Sequence, residues 1–147
     1  MVTPQSPFTI TQAIGWAQAH GLDRLDAQLL ALHALGRRDV DRAWLLAHDT
    51  DTLPEAALAR LQNCVRRRTT GEPLAYITGH KEFYGLDLTV DSRVLVPRPD
   101  TETLVDWALE VLTSTPGTEG SDLAVTLKTR VIDLGTGSGA IALALKH

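Results

Sequence analysis

Three glycines near the end of the chain constrain its fold more than any other feature. Gly135, Gly137 and Gly139 follow the apolar segment Val131–Leu134 and precede Ala140–Leu145, which is rich in alanine and leucine. Apolar and β-branched residues favour a buried strand, alanine and leucine favour a helix, and glycine allows a sharp turn between them. A helix that begins there directs unpaired N–H groups and its positive dipole end at the turn. The pattern therefore predicts a strand, a ligand-binding turn and a helix.

Two ligand classes fit this turn. Gly135, Gly137 and Ala140 match the dinucleotide spacing G-x-G-x-x-G/A, which would make NAD the ligand. Asp133 and the three glycines also form the tighter pattern D-x-G-x-G-x-G. A carboxylate just before the turn is unfavourable beside a pyrophosphate but suits a cation such as the methionine ammonium of S-adenosylmethionine. The residues favour the methyl donor and keep the dinucleotide as the alternative.

Composition excludes several classes of protein. The chain has 147 residues, of which 44% are apolar and 22% charged, as in ordinary globular domains. The net charge of −4 argues against broad nucleic-acid binding, so we expect no direct nucleic-acid partner. The N-terminus lacks the features of a signal peptide and no apolar run could span a membrane, which predicts a cytoplasmic protein. The single cysteine, Cys64, and the scattered histidines imply no disulfide and no metal site.

The first half of the chain has the apolar period of short helices. Four residues can start them by capping or, for proline, by occupying the first turn: Thr9, Asp23, Asp39 and Pro54. The pattern predicts a bundle of four helices. Arg66–Arg68 fall in the last turn of the fourth helix, where positive charge stabilises the negative dipole end. The functional alternative is that they face an acidic partner together with Arg60.

The period then becomes alternating. Glu82–Tyr84 and Leu86–Val90 predict two strands with a turn at Gly85, and Val94–Val96 predicts a third. Asp100 or Thr101 can cap a helix that extends to about Thr113. A loop over Ser114–Asp122 then leads to the strand before the glycines.

A parallel strand pair needs a crossover connection of a dozen or more residues, and the sequence contains no such connection to a partner for the predicted last strand. We therefore expect the chain to be the N-terminal part of a longer enzyme. We also expect Val131–Leu134 and Ile141–Leu145 to be uncovered, which favours self-association.

Four motifs, in register, resemble the signatures of the release factor N5-glutamine methyltransferases, the PrmC/HemK family. They are Arg68–Gly79, Glu82–Leu86, Val94–Glu102 and Asp133–Gly139. The resemblance implies an enzyme that transfers a methyl group from S-adenosylmethionine to the glutamine side-chain amide in the Gly-Gly-Gln motif of peptide chain release factors. It implies an α+β fragment with three parts: a small helical bundle that docks the release factor (residues 1–72), a β-hairpin connector (73–99), and the first strand and helix start of a Rossmann-like class I methyltransferase domain (100–147).

The resemblance also implies the site residues. Asp133 would lie near the amino group of the donor, which would be lined by Gly135, Thr136, Gly137, Ser138 and Gly139. A second group would lie beside the donor pocket or form only a rigid capped turn: Pro97, Arg98, Pro99, Thr101 and Glu102. The Asn-Pro-Pro-Tyr motif of the family does not occur in residues 1–147, so we assign no catalytic residue and expect this chain alone to be inactive. A non-catalytic docking module for release factors is the second hypothesis.

Overall fold

The computed structural model describes residues 7–37, 41–114 and 130–147. The chain forms two compact units, residues 1–78 and 79–147. Each unit combines helices with a small antiparallel sheet, which confirms the α+β class. No parallel strand pair occurs within the described residues, so the Rossmann-like part of the prediction stays a prediction.

The first unit is a helical bundle with two very short strands. Its helices are α1 (Ile10–Ala19), α2 (Arg24–Ala34), α3 (Arg42–Ala47), α4 (Glu55–Thr69) and α5 (Leu74–Thr78). Its strands, β1 (Phe8–Thr9) and β2 (Thr52–Leu53), pair antiparallel. Helix α5 was not predicted, because five residues carry too little of a helical period to be distinguished from the alternating pattern that follows.

Side-chain caps determine where the first two helices begin. Thr9 Oγ1 accepts a hydrogen bond from the N–H of Gln12 at 3.2 Å, and Gln12 Oε1 accepts one from the N–H of Thr9 at 2.9 Å. Asp23 Oδ1 accepts from the N–H of Asp26 at 2.8 Å. Both predicted caps are confirmed. The predicted cap Asp39 lies outside the described residues, and Pro54 stands just before α4 instead of within its first turn.

The core of the first unit lies between α1, α2 and α4. Its most deeply buried side chains are Ile10, Leu30, Leu32, Leu53, Leu61 and Val65. Cys64 belongs to the same core, and burial raises the pKa of its thiol. Two half-buried tryptophans that pack against this core each contact a histidine one helical turn later, with centroid distances of 4.3 Å for Trp16 and His20 and 4.0 Å for Trp44 and His48.

Arginines fasten α4 to its neighbours. Arg68 Nε lies 2.6 Å from Asp26 Oδ2, which joins α4 to α2. Arg67 donates to both carboxylate oxygens of Glu72, beyond the end of α4, at 2.7 and 2.5 Å. Arg60 Nε donates to the carbonyl of Ala34 at 2.8 Å. These contacts favour the structural interpretation of the arginines, because three of the four candidate partner-binding side chains already have intramolecular partners.

The Arg67–Glu72 pair at the C-terminal end of α4 makes the stability of the first unit depend on pH. The hydrogen bond from Arg67 lowers the pKa of Glu72. A carboxyl whose pKa falls on folding stabilises the fold above its unfolded pKa, about 4.3 for Glu, and this contribution is lost as the pH falls through the folded value. We therefore expect Glu72→Gln to lower the melting temperature at pH 7 and to lower it less at pH 3. Melting curves followed by circular dichroism measure this, with Glu110→Gln as the control, and equal losses at both pH values would contradict it.

The second unit begins with a hairpin. Strands β3 (His80–Phe83) and β4 (Leu86–Thr89) pair antiparallel with Phe83 opposite Leu86, which confirms the predicted hairpin and its turn at Gly85. A single 3-10 turn, Pro99–Thr101, leads into α6 (Glu102–Ser114), and α7 (Ala140–Lys146) follows the glycines. The predicted loop over Ser114–Asp122 lies outside the described residues, except that Ser114 ends α6.

Two predicted strands are not formed. Val94–Val96 follows a tight turn in which the N–H of Val94 donates to the carbonyl of Asp91 at 3.2 Å, and no strand is assigned to these residues. Val131–Leu134 is irregular, and Ile132 and Leu134 are 83% and 89% exposed. A strand needs a partner for its backbone groups, and no described strand pairs with Val131–Leu134. The prediction of uncovered apolar residues is confirmed for Val131, Ile132 and Leu134, whereas within Ile141–Leu145 Leu143 is exposed and Ala144 is buried.

Candidate functional site

The candidate site is the glycine loop, residues 133–139, which lies directly before α7. Gly135, Gly137 and Gly139 have φ values of 77°, 54° and 76°, in the left-handed region where glycine is far less restricted than other residues. The N–H of Gly139 donates to the carbonyl of Thr136 at 2.8 Å and closes the turn. The predicted glycine turn and helix start are therefore confirmed, although the strand before them is not.

The space around the glycines is open. Among the described residues, a Cβ atom added at Gly135 would have no neighbour within 4 Å, one at Gly137 would meet only the carbonyl of Gly135 at 3.9 Å, and one at Gly139 would meet Leu143 at 3.8 Å. Packing against the described residues therefore does not require glycine at these positions. The left-handed backbone conformation is the reason for glycine, and the absence of side chains leaves the backbone of the loop accessible to a ligand.

Asp133, at the start of the loop, has one side-chain oxygen without a hydrogen-bond partner among the described residues. This atom, Oδ2, is buried. A buried carboxylate oxygen without a donor is costly, so the position favours an N–H donor or a cation from outside the loop. A pyrophosphate would add a second negative charge here, whereas an ammonium group would compensate the first. The residues present thus fit the donor predicted from the sequence.

The second group of predicted site residues forms the turn that leads into α6. The N–H of Thr101 donates to the carbonyl of Arg98 at 3.0 Å, and Arg98 is exposed with an extended backbone. Glu102 Oε1 accepts from the N–H of Tyr84 at 3.1 Å. This arrangement is a rigid turn tied to the hairpin. No hydrogen bond or ion pair between described residues joins it to the glycine loop.

The structure adds one concave feature that the sequence did not predict. An open, largely apolar groove of about 360 Å³ is lined by Leu86, Asp87, Leu88, Leu143, Lys146 and His147. None of the predicted donor-binding residues lines it. Because it forms between β4 and α7, elements more than fifty residues apart, no local pattern could have indicated it. Among the described residues, no cluster of three or more metal-ligating side chains occurs, and no helix is both long and apolar enough to cross a membrane.

Comparison with known proteins agrees with the motifs. Residues 12–79 match the family model of the PrmC N-terminal domain, so the first unit is a domain of that class. The chain is 47% identical over 125 residues to the release factor glutamine methyltransferase of Bordetella pertussis, covering 85% of this chain and 41% of that protein. It is 44% identical over 129 residues to that of Xylella fastidiosa (88% and 42%) and 40% identical over 136 residues to that of Escherichia coli (92% and 44%).

The first unit therefore matches the PrmC N-terminal domain, and most of the chain is similar to release factor glutamine methyltransferases. The chain spans less than half the length of these curated relatives.

Proposed function

We propose that this chain supplies the docking domain and the donor-binding loop of an enzyme that methylates peptide chain release factors. The methyl group would come from S-adenosylmethionine and go to the side-chain amide nitrogen of the glutamine in the Gly-Gly-Gln motif. The observation that carries the proposal is 40–47% identity to enzymes of that name over 85–92% of the chain. Since release factors act on cytoplasmic ribosomes, the proposed location is the cytoplasm.

The domain organisation is part of this proposal. Residues 1–72 would dock the release factor, 73–99 would connect, and 100–147 would begin a Rossmann-like catalytic domain. Support comes from the separate core of the first unit and from the hairpin that follows it. Helix α5 packs within the first unit, and the family match extends through residue 79.

The glycine loop would hold the donor, which supplies an electrophilic methyl group on a sulfonium when bound. Asp133 Oδ2, which is buried and has no hydrogen-bond partner among the described residues, would accept an N–H from the ammonium of the donor. Gly135, Gly137 and Gly139 would let the ligand approach the backbone, and the Thr136 and Ser138 side chains would border it. Pro97, Arg98, Thr101 and Glu102 would lie beside the pocket.

The glutamine amide that accepts the methyl group needs groups that residues 1–147 do not provide. An amide nitrogen is a weak nucleophile because its lone pair is delocalised into the carbonyl. Catalysis then depends on groups that hold the nitrogen in line with the methyl group, which the family provides through its Asn-Pro-Pro-Tyr motif. Residues 1–147 do not contain this motif, so we expect the isolated chain to transfer no methyl group.

A chimera tests the proposal. Residues 1–147 would replace the matching segment of the Escherichia coli relative, and methylation of a release factor would be followed by mass spectrometry of the Gly-Gly-Gln peptide. We expect the chimera to methylate that glutamine and the isolated chain to be inactive. A folded chimera that binds the release factor without methylating it would instead support the docking module, for which the separate core of the first unit is the favouring observation. A chimera that does neither would contradict both.

Self-association through the exposed side chains of Val131, Ile132 and Leu134 is a further part of the proposal for the isolated chain. Light scattering at two concentrations measures it, and a monomer at both would contradict it.

A further inference from the structure

The turn of the hairpin holds a tyrosine in an unfavourable conformation. Tyr84 and Gly85 form the two-residue turn between β3 and β4, and both have positive φ, 51° and 76°. Turns of this kind favour glycine, asparagine or aspartate, and a bulky residue with positive φ is an outlier. Within the described part of the chain, Tyr84 is the only non-glycine residue with positive φ. Its contacts must therefore compensate the strain.

Those contacts come from two carboxylates on α6. Glu102 Oε1 accepts from the main-chain N–H of Tyr84 at 3.1 Å, and Asp106 Oδ1 accepts from the Tyr84 hydroxyl at 2.8 Å. Glu102 and Asp106 are four residues apart and so lie on the same face of α6. The hydrogen bond to Asp106 raises the pKa of the Tyr84 hydroxyl, which agrees with its role as a donor. Tyr84 thus contacts α6 with both its backbone and its side chain.

We propose that Glu102 is a positioning residue, which holds the Tyr84–Gly85 turn on the first turn of α6 as a hydrogen-bond acceptor and does not act on the methyl donor through its charge. The 3-10 turn Pro99–Thr101 runs directly into α6. Holding the start of α6 against the hairpin therefore also fixes Arg98 and Thr101, the residues proposed to border the donor. This last step rests on the proposed function, whereas the contact between Glu102 and Tyr84 does not.

Glu102 could act as a hydrogen-bond acceptor for Tyr84 or through its charge on the donor, and the two roles predict different results for two substitutions. Glu102→Gln keeps an oxygen that can accept from the N–H of Tyr84 but removes the charge, whereas Glu102→Ala removes both. Hydrogen exchange of the Tyr84 amide, measured by NMR on the 147-residue chain, should accelerate by about tenfold with alanine and by less than about threefold with glutamine. Glu110→Ala, on the same helix without this contact, is the control and should change nothing. Rapid exchange in Glu102→Gln would overturn the proposal, and this variant decides the matter if the alanine variant does not fold.

A kinetic measurement tests the consequence for the donor. In the Escherichia coli chimera, Glu102→Ala should raise the KM for S-adenosylmethionine by about tenfold with a smaller change in kcat, and Glu102→Gln should restore both values to within about twofold. If glutamine is as damaging as alanine while the Tyr84 amide stays protected, the charge acts on the donor and the proposal is wrong. A parent chimera without activity would contradict the proposed function only, because the exchange measurement would still decide the role of Glu102.

Discussion

Replacing Asp133 with alanine in the Escherichia coli chimera is expected to weaken the binding of S-adenosylmethionine by at least about tenfold. The buried Oδ2 atom of Asp133 accepts no hydrogen bond from a described residue, so a ligand N–H would be its partner. A hydrogen bond involving a charged group contributes roughly 1.5–3 kcal/mol, which corresponds to about a 10- to 150-fold change in affinity. Isothermal titration of the donor into each variant measures the effect.

Two further variants separate the role of charge from that of shape. Asp133→Asn keeps one acceptor oxygen and removes the charge, so its affinity for S-adenosylmethionine should lie between those of the parent chimera and the alanine variant. Glu110→Ala removes an exposed carboxylate on α6 and should leave the donor affinity unchanged. If Asp133→Ala binds the donor as tightly as Glu110→Ala does, Asp133 has no part in donor binding.

Leu61→Ala is expected to cause a large loss of stability in the first unit. Leu61 is fully buried between the helices of the bundle. Truncating such a leucine removes apolar contacts and leaves a cavity, which typically costs about 2–5 kcal/mol of unfolding free energy. In a unit of this size the melting temperature should fall by more than about 10 °C. Urea unfolding and thermal melts, followed by circular dichroism, measure both quantities.

A matched leucine provides the control. Leu46 also lies on a helix of the first unit but is 69% exposed. Leu46→Ala should change the unfolding free energy by less than about 0.5 kcal/mol. Similar losses for the two variants would mean that the core is not organised around Leu61.

Elements encoded by neighbouring residues were predictable from the sequence. The caps at Thr9 and Asp23 depend on side chains three residues from their partners, and the hairpin turn depends on Gly85 beside alternating residues. The predictions of strands at Val94–Val96 and Val131–Leu134 were wrong for the described structure. Strand formation depends on a partner strand that can lie far away in the sequence. Apolar composition alone does not tell whether such a partner is present.

In the candidate site, too, features set by neighbouring residues were predictable and contacts between distant residues were not. Left-handed glycines in the loop before α7 follow from the glycine spacing, since few other residues adopt that conformation. The hydrogen bond between Glu102 and Tyr84 joins residues 18 apart, and the ion pair between Arg68 and Asp26 joins residues 42 apart. Neither separation leaves a periodic signal. The burial of the Oδ2 atom of Asp133 is likewise visible only in the structure.

The placement of the aromatic side chains gives the two units different optical properties. Trp16 and Trp44 each lie against an imidazole in the first unit, where contact with the ring can quench indole emission. Trp107 on α6 in the second unit is 62% exposed, and water shifts indole emission to longer wavelength. Loss of the first unit should therefore brighten the fluorescence as Trp16 and Trp44 leave their histidines. Tryptophan fluorescence should therefore report which of the two units has unfolded.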